Sequence, residues 1–480
     1  MMGTKLFLSL RLWTALAFVL GVLPLGLSST EMWDGVVGIH ALQTHDWVTM
    51  KGWLLDSNWY LTYGLFLLAD SLYQLVNLPY WVFFKLWIVL MIVGIAFEVK
   101  KLALQVFEVP EHIAIWLPAL VFSFPIWYVF FSYTPMLGHL TCVWLALAGY
   151  RLIYSDKKGL LGVGMVFVAV SFQLASNCAF ILALEMGRWA VSKNRRDWSC
   201  TRSALLLFLS LAVFAATRVV WPPVGTYVGY NRFLNPLSIS SWVAYAKYFA
   251  FFGTWFVLLL PVALGVWWVS KRQQGEGLIQ ILLKNWKMPL FLAFVALAAC
   301  APYIAVGLGS PLFTARVASS SSVSAVLASN SATWPLAIWY GGWGARHVLL
   351  MMIPLLVFAA WLLGSTYKNT APAMAAAFVA TIFLGLAVGL PGHWAKLQRL
   401  AKEQTVVTAL ASKPQLPYGF IDLLLDSRQD FLSSIYETND ILYRAYGKTR
   451  WAGLMLPNNT AVQAWGDEHR QLTLTRPEKN

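Results

Sequence analysis

The chain has 480 residues, 59% of them hydrophobic and 12% charged, with a mean hydropathy of +0.63. These values lie outside the range of water-soluble domains and exclude a soluble monomer. The formal charge of +14 is not gathered on a polar face: Lys100 and Lys101, Lys157 and Lys158, Lys193 with Arg195 and Arg196, and Lys271 with Arg272 punctuate alternate joints between apolar runs. Basic residues retained on the cytoplasmic side are distributed in this way, so membrane lipid is the expected partner and nucleic acid is not.

Apolar runs of about 18 residues, the length that crosses a hydrocarbon slab of about 30 Å, recur along the chain. Stretches such as 204–216 and 348–363 are apolar on every face, whereas barrel strands alternate. The expected fold is therefore all-α and polytopic, with about 11 transmembrane helices. The four cysteines, Cys142, Cys178, Cys200 and Cys300, have no paired spacing and imply neither a disulfide framework nor a zinc motif.

Taken in order, the first span is expected at 7–27 and follows Lys5 and Arg11. It is read as a retained signal-anchor with the N-terminus inside. Residues 28–79 form a first extracytoplasmic loop whose second half, 59–76, is apolar but broken by Asp70 and Gln74, the pattern of a helix lying at the interface. Further spans are expected at 80–98, 112–132, 137–154, 159–175, 177–192, 203–221, 246–270, 288–308, 346–364 and 372–391. If 59–76 crossed instead, Lys100 and Lys101 would fall outside, so the charge rule selects the interfacial reading. Two later outer segments are notable: 222–245, with Pro222, Pro223, Gly225 and Gly229 among aromatics, and 309–345, with four serines from Ser319 to Ser322 and then Trp334, Trp339 and Trp343. From residue 392 to 480 the polarity becomes ordinary, with amphipathic stretches at 397–410 and 420–446, and a small helical extracytoplasmic domain is expected there.

Of the twelve Asp and Glu before residue 392, five lie in the first outer loop: Glu31, Asp34, Asp46, Asp56 and Asp70. The other seven fall on or near the inner face. A carboxylate just past a span, such as Asp34, is partly desolvated at the membrane surface and suited to act as a base.

The run Trp33-Asp34-Gly35, then Ala41-Leu42, His45-Asp46-Trp47 and Leu54-Leu55-Asp56-Ser57-Asn58-Trp59-Tyr60, followed by an apolar interfacial stretch, resembles the first outer loop of GT-C superfamily glycosyltransferases. That superfamily includes the protein O-mannosyltransferases and the lipid A aminoarabinose transferase. Two weaker echoes are Ala345-Arg346-His347 with Pro354, similar to the start of a late span in the superfamily, and Tyr133-Thr134-Pro135-Met136-Leu137. The chain departs from the family where Gly35 replaces the second acid of the opening pair and where Asp56-Ser57-Asn58-Trp59 replaces the usual turn.

The resemblance implies an inverting enzyme of a bacterial inner membrane, with its site on the extracytoplasmic face. It would move a sugar, glucose for example, from a polyprenyl-phosphate carrier such as undecaprenyl phosphate to a lipid-linked or surface glycan such as the O-antigen of lipopolysaccharide. Asp34 and Asp56 are the candidate catalytic acids. Arg346, Arg218, Arg232, Lys247 and Lys85 are the candidate cations for the departing phosphate. Trp33, Glu31, Asp46, His139, Tyr230 and His347 are the candidate contacts to acceptor and sugar. No cofactor beyond the lipid-linked donor is required; the carboxylates permit a divalent cation, which a monophosphate leaving group does not demand. Two rivals are open. An O-antigen polymerase or ligase leans on arginines in a large late outer loop, where 309–345 offers only Arg316. A lipid or sugar transporter would carry opposed charges in mid-membrane.

Overall fold

The computed structural model of the chain describes residues 2–27, 34–56, 58–133, 135–155, 157, 159–174, 176–191, 200–220, 258–262, 264–265, 348–366, 371–412 and 444. Among them the regular structure is entirely helical, as a chain this apolar requires if its backbone groups are to be satisfied without water. Three of the helices are long and apolar enough to cross a membrane: Tyr80–Gln105, Met136–Ile153 and Met374–Pro391.

Helices α6 (Tyr80–Gln105) and α10 (Met136–Ile153) run side by side in the same direction. Trp87 Nε1 donates to Thr141 Oγ1 at 2.9 Å near their starts, Gly94 packs on Trp144 midway, and Arg151 Nε donates to Glu98 at 2.6 Å near their ends. Two parallel neighbours demand a return path between them. Residues 111–132 supply it as three short helices, α7 (Glu111–Ala114), α8 (Leu117–Phe122) and α9 (Trp127–Ser132), where the sequence predicts one continuous span. Pro110, Pro118 and Pro125 lack the amide donor that would carry a helix onward. Trp127 Nε1 donates to the carbonyl of Val121 at 2.9 Å, which satisfies one of the acceptors left by the break.

Helix α11 (Gly159–Ser171) returns against α10 through Gly149 and Gly164, and a Cβ on either would lie 2.7 Å from the other's carbonyl oxygen. Helices α12 (Ser176–Val191) and α13 (Cys200–Val219) pack beside them. The pair α1 (Met2–Gly21) and α2 (Leu23–Gly26) travels with the return segment: Phe18 meets Phe122 edge-on, and Gly26 lies near Val89 and Phe131. Helix α14 (Val348–Thr366) ends with Gly364 against Pro110 and Ile113. Helix α15 (Ala371–Ala411) also follows the return segment, with Phe378 stacked on Trp116, Gly385 on Ser123 and Gly389 on Pro125. It continues through Pro391, the position where composition changes and where the sequence predicts the last span to stop. An interior proline removes one hydrogen bond and bends a helix without having to end it. The spans expected at 246–270 and 288–308 and the loops at 222–245 and 309–345 lie outside the described residues, apart from residues 258–262 and 264–265.

Two buried carboxylates tie the helices together at one end. Glu98 accepts from Arg151 of α10 and from Lys101, 3.1 Å away. Glu185 of α12 accepts from Tyr150 and Tyr154 at 2.7 Å each, from Arg188 Nη2 at 2.8 Å and from Ser203 of α13 at 2.6 Å. Each has its charge matched by a guanidinium, with the Lys101 ammonium as a further donor to Glu98 and neutral hydroxyls as further donors to Glu185, the condition on which a carboxylate tolerates burial. This end also carries Lys100 and Lys157, and we call it the basic end.

Two outcomes follow for stability in detergent. Replacing Glu185 by Ala strands the buried Arg188 guanidinium and should cost about 3–5 kcal/mol, read as a lowered thermal transition. Gly164→Val forces α10 and α11 apart and should cost about 1–3 kcal/mol, whereas Gly162→Ala, with open space around it, should be neutral or stabilising by up to about 1 kcal/mol.

Candidate functional site

The opposite end of the bundle is covered by the first loop. Helix α3 (Asp34–Gln43) begins at Asp34, so a carboxylate residue occupies the position that the helix dipole favours for negative charge. Its last turn closes when His45 N–H donates to Leu42 O at 3.1 Å and Asp46 N–H donates to Ala41 O at 2.8 Å. His45 takes a left-handed conformation, φ 52°. This is the paired-bond helix stop that ordinarily uses glycine.

Asp46 then starts α4 (Trp47–Met50), accepting from Thr49 N at 3.0 Å and from Thr49 Oγ1 at 2.6 Å. Those two donors hold its carboxyl below the ordinary carboxylate range. A π-helical turn, Lys51–Leu55, runs into Asp56; such wide turns are rare. The same stop motif recurs there: Asn58 N–H donates to Leu55 O at 2.9 Å, Trp59 N–H donates to Leu54 O at 2.7 Å, and Asn58 has φ 63°.

Helix α5 (Tyr60–Val76) lies across this end. Its first turn is held by Gln173, whose Oε1 accepts from Leu61 N–H at 2.7 Å, and by Thr62 against Gly138 of α10. Its middle meets Phe84 of α6 through Phe66, at 4.9 Å between ring centres, and its last turns meet Tyr80 through Asp70 and Tyr73. Tyr80, Phe84 and Gly138 stand at the starts of α6 and α10 and Gln173 just past the end of α11, so α5 packs at the loop end of the bundle. Gly38 lets α3 settle on Phe66 and Trp53, since a Cβ there would come within 2.9 Å of the Phe66 ring.

Of the sequence-predicted site residues, four have described side chains. Asp46 is exposed and occupied as a cap. Asp56 is half-buried, and among the described residues no hydrogen bond or ion pair engages its carboxylate. His139 is buried and meets Trp59 edge-on at 5.3 Å. Lys85 is buried, and its ammonium donates to the carbonyl of Phe131. Asp34 is fixed by its backbone as the first residue of α3, and Arg218 as a residue of the last turn of α13, the end opposite Ser203. Glu31, Trp33, Tyr230, Arg232, Lys247, Arg346 and His347 lie outside the described residues. The structure therefore brings Asp34, Asp46, Asp56 and His139 to one end of the bundle. Among the described residues no three His, Cys, Asp or Glu side chains are grouped to hold a metal ion.

Asp70 does more than interrupt an apolar run. It is buried, Oδ1 accepts from Tyr80 OH at 2.9 Å, Oδ2 accepts from Gln74 Nε2 at 2.7 Å, and His45 Nδ1 stands 3.6 Å from Oδ1. The sequence signal was the acid itself at a position facing the bundle. Its partner Tyr80 opens the next helix, ten residues on, and nothing in the spacing announces that pairing.

No protein-family model, no curated protein and no solved structure matches this chain.

The Asp46 cap gives a pH-dependent outcome. Because its pKa is lowered on folding, its contribution to the first turn of α4 is present above the ordinary carboxylate range and fades as pH falls through the lowered value. Protection of the Thr49 amide, measured against its intrinsic exchange rate at each pH, should fall on acidification, and Asp46→Ala should lower it at neutral pH as well.

Proposed function

We propose that the chain is an inverting glycosyltransferase of the inner membrane that takes a sugar from a polyprenyl-phosphate carrier on the extracytoplasmic face and passes it to a hydroxyl of a glycan or lipid-linked saccharide. The observation that carries this reading is the convergence of the first-loop acids on one end of an apolar bundle, beneath a helix that covers that end. Asp34 stands at the start of α3, and Asp56 follows the π-helical turn with its carboxylate unengaged among the described residues. The placement of the described charge pairs disfavours the transporter: Glu98–Arg151 and Glu185–Arg188 sit at the basic end, His45–Asp70 at the loop end and Glu403–Arg444 beyond Pro391, and none is opposed in mid-span.

In the proposed reaction the acceptor oxygen attacks the anomeric carbon as its bond to the phosphate oxygen breaks. The acceptor proton passes to Asp34 and the polyprenyl phosphate departs as an anion, so configuration inverts. Arg346, with Arg218, Arg232 and Lys247 as further candidates, would meet the negative charge that develops on the leaving oxygen. Lys85, bonded to a backbone carbonyl inside the bundle, would act by supporting that wall.

The topology that goes with this activity has eleven crossings, the N-terminus and basic end cytoplasmic, and residues 392–480 as an extracytoplasmic domain joined to the 1–391 membrane region. The alternation of directions from α1 to α13 supports it, as does the gathering of Lys100, Lys101 and Lys157 at one end.

The test is turnover by purified protein in lipid, with undecaprenyl-phosphate glucose as donor and a lipid-linked saccharide as acceptor. Asp34→Asn should lose at least about a hundredfold in kcat with little change in donor binding, because a positioned base contributes on that order. Wild-type-like turnover in Asp34→Asn would remove Asp34 as the base, and a wild type that leaves the donor intact would remove the donor class.

A further inference from the structure

Helix α15 carries its protein contacts and its open surface on two opposite lines. Phe378, Gly385 and Gly389 meet the return segment, and the same side continues past Pro391 to buried His393 and to Glu403, which accepts from Arg444 Nη2 at 2.9 Å. The opposite line steps by three and four residues from Ala376 through Phe383 and Leu390 to Trp394 and Leu397, and every described position on it is exposed and apolar. Such steps keep to one face of a helix. Trp394 is 64% exposed, nearly as open as Phe383 at 67% in mid-span. From Gln398 to Ser412 no described exposed residue is a large apolar one.

The length of this line fits a membrane better than the stretch that stops at Pro391. The 18 residues Met374–Pro391 rise about 27 Å at about 1.5 Å per residue. That is less than the hydrocarbon slab of about 30 Å, and any tilt widens the shortfall. From Ala376 to Leu397 the rise is about 32 Å. An exit at Pro391 would also leave Trp394 and Leu397 in water, directly in line with Phe383 and Leu390 of the span. The composition changes at Pro391 because a count along the sequence mixes this line with polar residues of the other side, such as His393 and Glu403.

We infer that the outward face of α15 is in contact with lipid as far as Leu397, with Trp394 as its anchor where hydrocarbon meets headgroups. The line is continuous with the span and ends where a membrane of ordinary thickness ends, which selects lipid as the occupant. An indole suits that depth, since its ring favours apolar surroundings and its N–H needs a polar partner. Helix α15 follows the return segment from the basic end to the loop end, so this boundary lies at the loop end. The membrane region then reaches about six residues beyond Pro391, or about 9 Å along the helix axis. This boundary is independent of the glycosyl-transfer reading.

The experiment places nitroxides singly at Phe383, Trp394, Leu397 and Thr408 in the full chain with its native cysteines replaced, in lipid nanodiscs. Collision with dissolved oxygen, which concentrates in hydrocarbon, is compared with collision with a charged nickel chelate, which hydrocarbon excludes. The oxygen-to-chelate ratio at 394 should stand at least about tenfold above that at 408, and at 397 about threefold above it, because a charged reagent is costly to bring into the membrane. These side chains are exposed, so the labels remove no contact with the bundle, and a high ratio at 383 reports that the span is intact. Equal ratios at 394 and 408 put the exit at Pro391 and overturn the inference. Low collision with both reagents at 394 and 397 means that protein covers the line, either a second copy or the C-terminal residues of the chain, and overturns it as well.

Discussion

A carboxylate taken out of water must find donors and, if it keeps its charge, a cation. In this chain three of the described places where that happens lie at opposite ends of the same helices, and a fourth, Glu403 with Arg444, lies on α15 beyond Pro391. Glu98 and Glu185 are satisfied at the basic end by Arg151, Lys101, Arg188, two tyrosines and a serine. Asp70 is satisfied at the loop end by Tyr80, Gln74 and His45. Between these layers the helices meet through glycines and aromatic rings, as Gly149 meets Gly164 and Gly94 meets Trp144. The separation gives the bundle two chemically different faces, and the rest of the architecture follows from which segments cover each.

The loop end is the face that carries α3, α4 and α5. Its helices are short and stop on left-handed His45, Asn58 and Asn77, residue types that adopt this conformation more readily than most. Each stop turns the chain back at this end, and Asp46 stays exposed there while Asp56 is half-buried. At the basic end the two buried acids, Glu98 and Glu185, are each paired with a guanidinium.

Much of this architecture was legible in the sequence because it is written in apolar run length and basic punctuation. Helices α6, α10, α11, α12, α13 and α14 begin within three residues of where the runs begin. The polar break in α5 was readable from Asp70 and Gln74, which are hydrogen-bonded to each other. Three features were not readable. The break-up of 111–132 depends on how three prolines are absorbed by the neighbours of the segment, and the passage of α15 through Pro391 depends on the opposite outcome for a single proline. The role of Asp70 depends on Tyr80 and His45, which flank it at distances fixed by folding and not by any local period. For the candidate site, the sequence singled out the acids of the first loop, and Asp46 illustrates the difference between an acid in that loop and an acid free for chemistry: its oxygens are engaged by Thr49.

The central claim is that α5 covers one end of the bundle and that the basic residues line the other. Side-specific thiol labelling tests it most directly. In a chain with its native cysteines replaced, single cysteines at Gln43, Asn77 and Lys157 would be treated with an impermeant maleimide in right-side-out and inverted vesicles. Positions 43 and 77 should label from the same side and 157 from the other. Labelling of 43 and 77 from opposite sides would mean that α5 crosses the membrane, and the account would be contradicted.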